Sequence, residues 1–266
     1  LVGLSLAQGQ FKVEAAINLE EFSKIVENLR IEYRVPGVSI GLIEDGKIIM
    51  TKGFGIKEKK TNTPVSKDTI FQVASMSKPV AALGVMNLVN KGRIGLDNPV
   101  EEYLTRWQLP ESGYDSDGVT VRRLLSHYAG LGPGGYPGHH PNDEQPTLEQ
   151  ALEGGFQGTR QITFNKKPGT EFSYAGGGYT VLQLMIEEVT GDNFSSYIKE
   201  NILTPLNMKN SFFTYPNKDD YKSLASPHSI YGGEVPNYLF VEKAAAGLYS
   251  TAADYSKFVQ ANITGF

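Results

Sequence analysis

No cysteine occurs in the 266 residues, so disulfides, thiolate metal ligands and cysteine nucleophiles are excluded outright. Blocks of basic residues are missing too: 25 Lys+Arg stand against 29 Asp+Glu, a formal net charge of -4, and nucleic acid is not an expected partner. No apolar run approaches the roughly 20 residues that a membrane-crossing helix needs, so no transmembrane segment is expected. The histidines, His127, His139, His140 and His228, contain no H-x-x-x-H spacing, and loop neighbours such as His139 and His140 rarely face one metal together. There is no internal repeat, low-complexity tract or clear interdomain linker.

What is present suffices for a core. With 40% hydrophobic and 11% aromatic residues, the chain fits one large domain or two intimate ones. Residues 1–8, "LVGLSLAQ", read as a signal-peptide remnant ending in the small-residue pattern Ser5-Leu6-Ala7; the alternative is an ordinary apolar strand. The expected domain then covers residues 9–266, in an exported protein, periplasmic or secreted.

Asn18 with Glu21 three residues on looks like a helix cap, and Leu19, Phe22, Val26 and Leu29 recur at helical spacing, predicting a helix over roughly 19–34. Val38 to Ile43 and Lys47 to Lys52 flank Glu44-Asp45-Gly46, a strong hairpin signal. From about residue 75 to 210 the pattern turns helical, with helices ending near Lys91-Gly92, following Asp97-Asn98-Pro99, starting near Thr120, and covering about 148–153, 179–190 and 194–203; a last one covers about 252–262. Residues 130–141, "GLGPGGYPGHHP", predict an irregular loop. The expected class is α/β, of the α+β kind: an antiparallel sheet flanked by helices, plus a mostly helical region.

Two patterns imitate known sites. Gly37-Val38-Ser39-Ile40-Gly41 fits G-x-S-x-G, but a β-run follows it where a nucleophile elbow needs a helix. Gly130 to Gly135 fits G-x-G-x-x-G, yet runs into Pro and more Gly instead of opening a helix. His127, in "RRLLSHYAGL", reads as a structural residue hydrogen-bonded to backbone.

The informative stretch is Phe71 to Lys78, "FQVASMSK", running into an apolar helical pattern. A neutral serine hydroxyl attacks poorly unless a neighbour takes its proton. A lysine three residues along a helix shares the serine's face, and serves if burial or nearby positive charge brings its ammonium down. A serine at the helix start also places the positive end of the helix dipole under a developing oxyanion. Ser196 to Lys199 is a second S-x-x-K, but there Asp192 or Asn193 is the better cap and Lys199 reads as a solvated face residue.

"FQVASMSK" resembles the F-x-x-x-S-x-x-K segment of the serine β-lactamase-related hydrolases: class C β-lactamases, penicillin-binding D-Ala-D-Ala carboxypeptidases, D-aminopeptidases and some esterases. Residues 88–104, 119–131, 168–191 and 244–260 resemble further blocks of that family, in its order. The resemblance implies a β-lactamase/transpeptidase-like fold and makes Ser75 the acylated nucleophile with Lys78 its partner. It matches Tyr174 to the tyrosine of the family's Tyr-x-Asn motif, which acts with the lysine in proton transfer. A phenol with an ordinary pKa near 10 needs an adjacent cation for that task, and Lys78 would supply it.

Two departures stand out. Gly176 replaces the asparagine that contacts substrate in β-lactam-binding members, which tilts expectation away from an efficient β-lactamase. The third family motif, Lys or His, then Thr or Ser, then Gly, is expected downstream of the block at 244–260, and no such tripeptide occurs there. The C-terminal strands that carry it, with one of two oxyanion donors, are therefore expected to be missing. A second polypeptide completing the sheet, or truncation, would account for this. The resulting expectation is an exported serine hydrolase cleaving amides or esters of small or peptidoglycan-derived substrates through an acyl-enzyme, with no metal or organic cofactor. The alternative is a non-catalytic β-lactam or peptide sensor on the same scaffold.

Overall fold

Residues 18–216, 222–229 and 231–265 are described by a computed structural model. The expected signal-peptide remnant, residues 1–8, lies outside them. Helix α1, Leu19–Glu32, starts where its cap predicts: the Asn18 side chain accepts the Glu20 and Glu21 N–H groups, both at 3.1 Å, and so satisfies two donors of the first turn.

Strands β1, Gly37–Glu44, and β2, Lys47–Glu58, form the predicted antiparallel hairpin. Asp45 and Gly46 sit at φ 48° and 73°, the paired positive values that a two-residue hairpin loop requires and Asp-Gly readily adopts. Strand β2 continues beyond the predicted Lys52 because Gly53 admits a close neighbour: a Cβ there would lie 2.5 Å from the Val65 carbonyl oxygen. Strand β3, Thr63–Pro64, pairs with the far end of β2, giving the order β1-β2-β3.

Strand β4, Phe71–Gln72, leads into α2, Ser77–Asn90. Two 3-10 turns, Val100–Tyr103 and Ser116–Gly118, precede α3, Val121–Leu125, whose first turn is capped by Thr120. Next come β5, Leu131–Gly132; α4, Leu148–Glu153, opened by a capping box of Thr147 and Gln150; and β6, Thr163–Phe164. Because β5 pairs with β6, the Gly- and Pro-rich segment is not irregular throughout. Then follow α5, Gly176–Thr190, and α6, Phe194–Ile198, which continues as a π-helical turn over Lys199–Leu203. The last elements are α7, Lys243–Ala246; β7, Tyr249–Ser250, antiparallel to β4; and α8, Ala252–Thr264. Helices with small antiparallel sheets are the mixed class that the sequence predicts.

Helix α5 is the central beam of the core, with every residue from Gly176 to Ile186 buried. Val80, Val85 and Leu88 of α2 join Val181, Leu184 and Met185 of α5 in one cluster. Full burial of each such side chain is worth roughly 1.5–3 kcal/mol. On the hairpin side, α8 packs against β1 and β2. Gly41 permits that approach, since a Cβ there would fall 1.8 Å from Ser256 Oγ. The next residue back, Tyr255, donates its hydroxyl to the Met76 carbonyl at 3.0 Å.

Candidate active site

The segment carrying Ser75 is held by the sheet and then turned out of it. Phe71 and Gln72 pair with Ser250 and Tyr249, and Val73 N–H donates to Leu248 O at 2.9 Å. Ala74 follows at φ 46°, a left-handed conformation that costs an L-residue about 1–2 kcal/mol. The chain therefore reverses within one residue, and Ser75 emerges exposed. Helix α2 begins at Ser77, so Ser75 stands two residues ahead of the helix, short of the helix-start position that the dipole argument requires. The turn is closed instead by Lys78 N–H donating to Ser75 O at 3.1 Å. Buried Ser77 locks it, donating to Ala74 O at 2.6 Å and accepting Leu248 N–H at 2.9 Å. Pro79 lies in the first turn, where its missing N–H is not needed.

Two of the predicted residues converge on the hydroxyl oxygen of the third. Lys78 Nζ donates to Ser75 Oγ at 3.1 Å, and Tyr174 OH donates to the same atom at 2.9 Å. The ammonium also donates to Ala245 O on α7 at 2.8 Å and lies 4.9 Å from the Tyr174 ring centroid. Lys78 is 6% exposed and Tyr174 is 44% exposed, so one partner of Ser75 faces the interior and the other faces solvent. Burial opposes ionisation of the Tyr174 phenol, but its contacts with Lys78 and Ser75 and the Lys78 charge outweigh that and hold it below its ordinary 10. With its phenol ionised, Tyr174 can take a proton from Ser75 Oγ and return it to a departing group on the solvent side.

Gly176 lies buried at the first position of α5, its N–H donating to Gly134 O at 3.0 Å. A Cβ at this position would meet Gly134 O and Tyr136 Cε2, both at 3.2 Å. The direction in which the family's asparagine would project is thus occupied by the 134–136 loop. Tyr136 is itself pinned, its hydroxyl 2.8 Å from Thr180 Oγ1.

The competing motifs take the places that their contexts predict. Ser39 lies within β1, and Gly130–Gly135 spans the short strand β5 and loop. Ser196 N–H donates to the Asn193 side chain at 3.0 Å, a cap contact, and Lys199 is exposed. Among the described residues no group of three or more His, Asp and Glu is arranged to hold a metal ion. His127 is half-buried and its Nδ1 accepts the Ala175 N–H at 3.1 Å.

Two features had no sequence signal. One is the left-handed Ala74; the other is Glu242, which is fully buried with neither carboxylate oxygen hydrogen-bonded. Burial pushes its carboxyl up to about 7, and Tyr136 and Tyr215 lie within range of its charge.

The family model described as beta-lactamase matches residues 22–265. Protein flp of Staphylococcus aureus (strain MW2) is 27% identical over 244 residues, 89% of this chain and 45% of that protein. Penicillin-binding protein 4* of Bacillus subtilis (strain 168) is 30% identical over 171 residues, 62% of this chain and 35% of that protein. The solved octameric penicillin-binding protein homologue from Pyrococcus abyssi superposes with a TM-score of 0.74 at 29% identity, covering 93% of this chain and 57% of that one. The chain thus spans less than half the length of these curated relatives.

Proposed function

The chain belongs to the β-lactamase family, and we propose that within it Ser75 is the acylated nucleophile of a serine hydrolase. The observation that carries this reading is the convergence of Lys78 Nζ, at 3.1 Å, and Tyr174 OH, at 2.9 Å, on Ser75 Oγ. Once Tyr174 has lost its phenol proton, which the Lys78 contact favours, Ser75 Oγ attacks a carbonyl carbon while its own proton passes to the Tyr174 oxygen. The scissile C–N or C–O bond then breaks, and that proton goes to the leaving group. Water enters in the reverse sense, cleaves the Ser75 ester and restores the hydroxyl. The Ser75 N–H, in the turn that leads into α2, supplies one oxyanion donor. The second comes from the third-motif strand in the family, and no described residue is assigned to it.

The substrate class that fits is an amide or ester of a small or peptidoglycan-derived acyl group, in keeping with a relative named a penicillin-binding protein. The reading includes export, for which the support is the composition of residues 1–8. Incubation with a fluorophosphonate and with a labelled penicillin, followed by intact mass and peptide mapping, tests the proposal. Modification of Ser75 is expected; no modification, or modification of another residue, overturns it. The test includes the chain extended by the further residues that its relatives carry, so that a silent 266-residue chain is distinguished from a wrong nucleophile.

A second reading, a β-lactam or peptide sensor that acylates without turnover, is favoured by Gly176, which brings no side chain to the acyl group. A stable Ser75 adduct with no product release selects the sensor; steady release of product removes it.

A further inference from the structure

Tyr174 is half exposed and precedes α5 in a loop, yet catalysis as proposed needs its hydroxyl held against Ser75. The residues on either side of it are bound to one other residue. Ser173 N–H donates to the His127 carbonyl at 2.8 Å, and Ala175 N–H donates to His127 Nδ1 at 3.1 Å. The His127 ring also lies beside the phenol, with centroids 4.6 Å apart, and contacts Tyr179 at 5.3 Å and Phe172 at 5.8 Å. His127 itself sits at φ 61°, a left-handed conformation that aims both its carbonyl and its ring at the same strip of chain.

We propose that His127 is a positioning residue for Tyr174, bracketing it with these two accepted hydrogen bonds so that the phenol stays on Ser75. Its effect on rate rests on the hydrolase reading above; the bracket does not. Accepting at Nδ1 requires an imidazole whose proton is on Nε2. Protonation places a second donor at Nδ1, facing the Ala175 N–H, and opens one side of the bracket. The groups facing the ring are Lys78 from α2, Tyr174, and Tyr179 from α5. Burial, and then the Lys78 charge, hold the imidazole below its ordinary 6.5, so the bracket is closed at neutral pH and opens as pH falls through that lowered value.

The test compares His127→Ala, His127→Gln and His127→Asn for the rate of fluorophosphonate labelling at Ser75 between pH 5 and 9. It also follows the Tyr174 phenol by ultraviolet difference titration, using Tyr174→Phe to identify its signal. Asn carries an oxygen acceptor at the same bond count from Cα as Nδ1 and tolerates the left-handed backbone; Gln places its acceptor one bond too far. Expected are a loss of about 10²-fold in His127→Ala and His127→Gln, as for a misplaced catalytic group. His127→Asn should recover at least tenfold of that loss and lack the acidic decline of the parent protein. Equal rates in all three variants and the parent, or an Asn variant as slow as Ala with its fold intact, overturn the proposal. If His127→Ala does not fold, the acidic limb of His127→Asn decides. If the parent never labels at Ser75, the hydrolase reading falls and the titration decides alone. A Tyr174 phenol returning toward 10 in His127→Gln but not in His127→Asn supports the bracket, and one unchanged in both sinks it.

Discussion

Lys78 and Ala245 are joined by a hydrogen bond of 2.8 Å, the buried ammonium donating to a backbone carbonyl 167 residues along the chain. Because the acceptor is main chain, it keeps its place whatever side chain Ala245 carries. It fixes the ammonium between α2 and α7, leaving a second donor direction for Ser75 Oγ. Ser75 is thus aligned by a pair that neither element forms alone.

Lys78→Met should therefore uncouple Ser75 without unfolding the core, because Met fills similar volume. The labelling rate at Ser75 is expected to fall by about 10²–10⁴-fold, the usual contribution of a positioned acid or base. Thermal melting should show that folding persists, and labelling at the parent rate would remove Lys78 from the mechanism.

Tyr174→Phe keeps the ring contacts with His127 and Lys78 and deletes only the hydroxyl on Ser75. A similar loss of about 10²–10⁴-fold is expected, with a flattened dependence on pH above neutrality. The pH–rate profile is the measurement, since a purely structural tyrosine would lower the rate equally at every pH.

Glu242 makes stability depend on pH in a direction opposite to that of most carboxylates. Its folded-state pKa, about 7, lies above the ordinary 4.5, so its protonated form favours folding below pH 4.5 and that advantage is lost as pH rises through 7. The lost stability is on the order of 3 kcal/mol at 1.36 kcal/mol per unit. Glu242→Gln should melt higher than the parent at pH 8 and show no advantage at pH 4.5. Parallel melting curves at both pH values would contradict this assignment.

Gly176→Asn should not simply restore the family's motif. Its Cβ meets the Gly134 carbonyl oxygen and the Tyr136 ring, both at 3.2 Å and both pinned, so a cost of about 1–3 kcal/mol is expected from overpacking. Tyr136→Ala in the same chain should recover part of that cost, which a double-mutant cycle by chemical denaturation measures. Additive effects would mean that the loop moves aside freely.

Much of this was legible where the chemistry is local. Asn18 and Thr120 announce helix starts because a side-chain oxygen must answer donors two or three residues on. Asp45-Gly46 announces a hairpin because few dipeptides accept two positive φ angles. The context of Ser196 favours a cap there, and Asn193 does accept the Ser196 N–H. What stayed hidden depends on long-range placement of groups that sequence does not distinguish. Every residue has a carbonyl, so nothing marks Ala245 as the Lys78 acceptor. His127 gave only a helix-end histidine, because its partner N–H lies 48 residues away. Ala74 has no composition signal for φ 46°; the strain is imposed from both sides, by the β4–β7 pairing before it and the α2 turn after it.

Helix α8 has a mechanical side. Of its consecutive residues, Tyr255 bonds the Met76 carbonyl, one peptide beyond Ser75, and Ser256 packs closely over β1 at Gly41. A rod held at two points transmits displacement from one to the other. A methyl group added at Gly41 would push Ser256 outward and Tyr255 with it, so a substitution in the hairpin would be felt at the turn that carries Ser75. The hairpin, which carries no proposed catalytic group, thereby becomes part of the lever that sets where Ser75 points.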